Sequence, residues 1–121
     1  MDVDACNRLL EEVFALHPNV RYAEIFDSAA NHVAGGMRPG FESLDPPEVS
    51  SRVDVETAKY ALLLIQNRKY YGDLEYIYAS MKGINVLILP FMSGVLVAAF
   101  NPPTGLGILP ALTKIIERYL K

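Results

Sequence analysis

The chain is poor in the residues that most chemistry requires. Its 121 residues include a single cysteine, Cys6, which excludes an internal disulfide. The two histidines, His17 and His32, have no nearby cysteine with which to hold zinc. Positive charge is also sparse. Eleven lysines and arginines stand against fourteen aspartates and glutamates, a net charge of -3, and the densest basic pair is Arg68-Lys69. A nucleic-acid binder needs a concentrated basic patch, so that partner is not expected. No apolar run reaches the ~18 residues of a membrane span. The opening stretch "MDVDACNRLLEE" is acidic and amphipathic, without the basic, apolar and small-residue order of a secretory signal. No low-complexity tract or long-period repeat occurs. These absences predict a soluble, cytoplasmic protein with no nucleic-acid partner and no membrane span.

What remains is ordinary globular material, 51% hydrophobic and 21% charged, enough for one domain over residues 1–121. "VDACNRLLEEVFALHP" has helical spacing, with Asp2 or Asp4 as its cap and Pro18 as its stop. Cys6, Leu9, Leu10, Val13 and Phe14 share one face, and Arg8, Glu11 and Glu12 the other. "VRYAEIFD" (Val20 to Asp27) and "HVAGGM" (His32 to Met37) read as a hairpin joined by the turn "SAAN". A second helix is expected in "RVDVETAKYALLLIQNRKYY", capped by Ser50 or Ser51. Its main stripe is Val55, Ala58, Ala61, Leu62 and Ile65, while Tyr60, Leu63 and Leu64 fall off it; a helix apolar on two sides has two neighbours.

Three strands follow at short intervals: "LEYIYASM" (Leu74 to Met81), "INVLILPF" (Ile84 to Phe91) and "VLVAAF" (Val95 to Phe100). Tight turns at Lys82-Gly83 and Ser93-Gly94 make them an antiparallel meander, and the continuous apolar runs belong in the middle of a sheet. After "NPPTGLG", a final helix "ILPALTKIIERYLK" runs to Lys121, with Pro110 tolerated in its first turn. The predicted class is therefore α+β, in the order α-β-β-α-β-β-β-α. It is a five-stranded antiparallel sheet with helices on both faces. The one-sided first and last helices share one face and the two-sided middle helix takes the other.

The loops yield little chemistry. "GGMRPGFESLDPP" lacks the Gly-Lys-Ser/Thr of a phosphate loop, contains no G-x-G-x-x-G, and does not open directly into a helix. Gly35 and Gly36 suit a bulge or close packing. Arg38 is placed to contact an anion or a partner's carboxylate, or else to stand in solvent. Gly105 and Gly107 precede a helix, where a turn is the simpler role than an anion site. No G-x-S-x-G elbow surrounds Ser50-Ser51, and Glu42, Asp45 and Glu48 lie in a loop without a rigid frame. No catalytic residue, metal ligand or cofactor is expected.

With the element order in hand, the chain resembles the roadblock/dynein light chain superfamily. The pieces that carry the resemblance are "HVAGG" after the first hairpin and the long second helix running into a meander. It is also similar to small archaeal proteins with an "AGGxRxG" element, here Ala34, Gly35, Gly36, Arg38 and Gly40, and a tyrosine-bearing strand like "EYIY". The resemblance implies a non-catalytic homodimer paired through the second helix and the third strand, serving as a platform for small Ras-like GTPases or other signalling proteins.

Dimerisation is also expected from the residues. Leu74 to Met81 should be a sheet edge with Glu75 as its only internal charge, and unpaired edges of this kind invite association. Leu74, Tyr76 and Tyr78 share one face and Ile77 the other, while Tyr60 and Leu64 are spare on the helix. These six are the expected self-complementary contact. The alternative is a ligand-sensing domain of profilin or PAS layout, with some of the seven tyrosines lining a pocket.

Overall fold

The computed structural model describes residues 1–120; the predicted end of the last helix at Lys121 lies outside them. Asp2 opens α1 (Val3–Leu16), its carboxylate accepting from the Asp4 and Ala5 N–H groups at 3.0 and 3.2 Å. The hairpin β1 (Val20–Asp27) and β2 (His32–Met37) has the predicted limits. Next come α2 (Pro47–Gln66), a single turn α3 (Arg68–Tyr71), β3 (Ile77–Ser80), β4 (Asn85–Phe91) and β5 (Gly94–Phe100). A 3-10 turn (Leu106–Ile108) leads into α4 (Leu109–Tyr119).

Two boundaries differ from expectation. The second helix starts at Pro47, not at Ser50 or Ser51, because an extended Pro46 precedes a proline whose fixed φ suits the first helical position. Both serines therefore lie inside the helix. It also ends at Gln66; Asn67 breaks the ladder and Arg68–Tyr71 forms a separate turn. The third strand spans four residues instead of the eight from Leu74 to Met81. Ile77 lies opposite Ile88, so the same register would bring Glu75 to Pro90, which has no N–H to offer.

All five strands form one antiparallel sheet in the order β2-β1-β5-β4-β3, so β5 is central and β3 is an edge, as predicted. Alternation sorts the side chains. Ala23, Ile25, Leu87, Leu96, Ala98 and Phe100 pack under α1 and α4. Phe26, Ile88, Val95 and Val97 pack under Ala58, Ala61 and Leu62 of α2. The expected division of helices between the faces is therefore observed. Gly35, at φ +100°, runs so close to β1 that an added Cβ would sit 2.2 Å from the Ala23 carbonyl oxygen. Neighbouring Gly36 has open space instead.

Candidate functional site

The edge strand β3 pairs with β4 alone, leaving its outer backbone groups without a strand partner among the described residues. On α2, above the same side of the sheet, Tyr60 and Leu63 are exposed, and Leu64 is half-buried. Tyr76, just before β3, is also exposed. Leu74 and Ile77 are half-buried against the α2 core and form the backing of this surface.

Tyr78 departs from the group. It points to the opposite face, packs with the α1/α4 core, and its hydroxyl fills the space beside Gly105. The expectation that Leu74, Tyr76 and Tyr78 share one strand face fails because the strand begins only at Ile77, and residues before it follow no pleat. Leu63 is the residue that spacing undervalued. It was legible as an apolar position off the main stripe, and the structure leaves it more open than Leu64.

Arg38 is turned inward. Its Nε donates to the Val20 carbonyl at 2.7 Å, and its Nη2 to the carbonyls of Phe14 and His17 at 2.5 and 2.8 Å. The latter two are carbonyls at the end of α1, where a cation satisfies both the orphan acceptors and the dipole. The guanidinium also stacks on Phe14 and Phe41. Its donors thus serve the protein's own chain.

A second feature has no linear signature. The N-terminal half of α2 stands off the sheet and leaves a cavity of about 550 Å³. Its floor comes from four strands, with Tyr22 and Glu24 of β1, Gly36 and Met37 of β2, and residues of β3 and β4. Asp54 and Thr57 of α2 form the roof, and Ser43 to Asp45 the rim. Asp45 accepts hydrogen bonds from the Ser43 and Ser50 hydroxyls. Of the tyrosines, only Tyr22 lines this space, not the Tyr70, Tyr71, Tyr76 and Tyr78 group.

Glu24 is 9% exposed, in register with Gly35 on one side and Val97 on the other. Burial, then the hydrogen bond and charge of Asp54, push its carboxyl up to about 8. Burial, with the charges of Asp54, Glu24 and Asp45, pushes the Tyr22 phenol up as well. The signal in the sequence was the phase of "VRYAEIFD": Tyr22, Glu24 and Phe26 alternate onto a buried face, and a carboxylate in that phase is unusual.

No cluster of three histidine, cysteine or acidic side chains suited to a metal occurs among the described residues. Among them no helix is long and apolar enough to cross a membrane. Cys6, on the inner face of α1, is fully buried, and burial raises its thiol pKa.

The chain has the roadblock fold. MglB of Thermus thermophilus, a gliding protein, superposes with a TM-score of 0.70 at 15% identity, covering 98% of this chain and 90% of that one. MglB of Myxococcus xanthus gives 0.69 at 14% identity over 99% and 93%. A Roadblock/LC7 domain from Streptomyces avermitilis gives 0.66 at 12% identity over 93% and 94%. No protein-family model and no curated protein sequence matches the chain.

Proposed function

We propose that this protein is a non-catalytic scaffold that pairs with a second copy of itself across β3 and α2. The joined surface would serve a small Ras-like GTPase or another signalling protein. The observation that carries the reading is the free edge of β3, together with the exposed Tyr60 and Leu63 of α2 and the exposed Tyr76 just before the strand. A two-fold axis along that edge would add the missing backbone hydrogen bonds and cover these side chains in one step, since a two-fold contact is self-complementary. Tyrosine suits such a contact because its ring buries area while its hydroxyl stays wet. The shared roadblock fold supports the reading, and one MglB structure has a tetrameric arrangement.

Sedimentation of the whole chain tests it. The wild type should run as a dimer at micromolar concentration, and Tyr60→Glu and Tyr76→Glu should run as folded monomers. A wild type that is monomeric throughout, or a dimer indifferent to both substitutions, would remove this reading. Retention of a GTP-loaded small GTPase on the dimer, and its loss from the monomeric variants, tests the partner class.

A further inference from the structure

The cavity beneath α2 carries an inference separate from the dimer. Its walls are apolar, with Met37, Leu44, Ile77, Ala79, Val86 and Ile88 facing one another across about 550 Å³. That volume lies in the range of small-molecule sites. Its polar groups are strongly biased in charge. Three carboxylates line it, Glu24, Asp45 and Asp54, against one cation, Arg21.

Arg21 is already engaged. Its Nη1 donates to Asn101 Oδ1 at 2.9 Å, its Nη2 to the Glu42 carbonyl at 2.5 Å, and its guanidinium stacks on Phe41. Asp45 is engaged as well, by Ser43 and Ser50. Glu24 is nine-tenths buried and receives no hydrogen bond from a basic side chain or a backbone N–H among the described residues. His32 Nε2 lies 3.4 Å from its Oε2, yet the Gly35 carbonyl, at 3.1 Å, is the nearer acceptor for an Nε2 proton. Buried Glu24 and half-buried Asp54 are hydrogen-bonded to each other, with His32 the nearest basic side chain. A carboxyl–carboxylate pair set in apolar walls is complementary to an ammonium on an apolar body.

We propose that this cavity binds a small organic cation, a primary amine on a hydrocarbon or aromatic skeleton, with its ammonium against Glu24 and Asp54. Binding is coupled to a proton. The groups facing Glu24 are Asp54 of α2, His32 of β2, Tyr22 of β1 and, near Tyr22, Asp45 of the rim. With burial and Asp54 holding Glu24 protonated up to about pH 8, an arriving ammonium displaces that proton. Affinity therefore rises with pH from 6 toward 8, by at most about tenfold per unit.

The test uses butylamine, hexylamine and 2-phenylethylamine, each against the alcohol of the same skeleton, with methyl NMR shifts of Ile77, Ala79 and Ile88 as the readout. At least one amine should bind about tenfold more tightly than its alcohol. Asp54→Asn should equalise the two. Gly36→Leu should abolish binding of both while circular dichroism stays unchanged, since a Cβ at Gly36 meets nothing within 4 Å. Three results would overturn the proposal: no amine binding at millimolar concentration, equal affinity for amine and alcohol, or binding that survives Gly36→Leu. A free lysine side chain in a short peptide binding as tightly as the amines, with the acetylated peptide silent, would make the occupant a partner protein and overturn it too.

Discussion

The two faces of the sheet are finished to different degrees. Under α1 and α4, the side chains of β1, β4 and β5 close with two helices into a continuous core, and Leu9, Val13, Leu96, Phe100 and Leu112 lose all contact with water. Under α2, a smaller cluster is sealed only around Ala58, Ala61 and Leu62. Toward the start of the same helix the sheet falls away into the cavity, and farther along the helix Tyr60 and Leu63 are left in water. Both faces are built from the same strands. The difference teaches that one face supplies the cohesion which lets the other hold a void, a buried acid and an uncovered apolar stripe.

Three measurements would sharpen or break that contrast. The largest effect should come from Phe100→Ala, on the closed face. Chemical denaturation should show a loss of about 3–5 kcal/mol, because the packed surroundings cannot collapse into the space. Leu62→Ala, on the α2 face, should cost about 2–3 kcal/mol, since a helix that already stands off the sheet in part can settle inward. Equal losses at the two positions would mean that both faces are equally rigid.

The smallest effect concerns Glu24. Its carboxyl is raised to about 8 when folded, while an unfolded glutamate titrates near 4.5. Between those values the folded state holds the proton and the unfolded state does not. This contribution is therefore complete below about pH 4.5 and is lost as pH rises through 8. From pH 6 to pH 7 stability should fall by about 1 kcal/mol. In Glu24→Gln this fall should vanish. A wild-type curve flat over that interval would show that the α2 face is wetter than its geometry implies.

Much of this contrast was legible from the residues. The limits of β1 and β2 follow from β-branched and aromatic runs closed by turn residues, and the two-sided pattern of α2 announced an incomplete cover. The start of α2 was not legible, because Pro46 and Pro47 read equally as a break and as a first helical turn, and Ser50-Ser51 imitated a cap. The length of β3 was hidden since alternation in "LEYIYASM" continues past the point where β4 has a usable donor. The direction of Arg38 depended on acceptors at the end of α1, more than twenty residues away along the chain. The cavity needed four strands, one helix and a loop to exist at all, and no local pattern encodes that meeting.

Phe41 sits beside both the Arg21 and the Arg38 guanidinium, 5.2 and 5.9 Å from its ring centre, just ahead of the rim of the cavity. Guanidinium groups keep their charge at every pH a folded protein tolerates. The clasp that anchors the rim is therefore indifferent to acidity, whereas the acid on the floor is not. A change in proton concentration would retune what the chamber attracts while its doorway keeps the same outline.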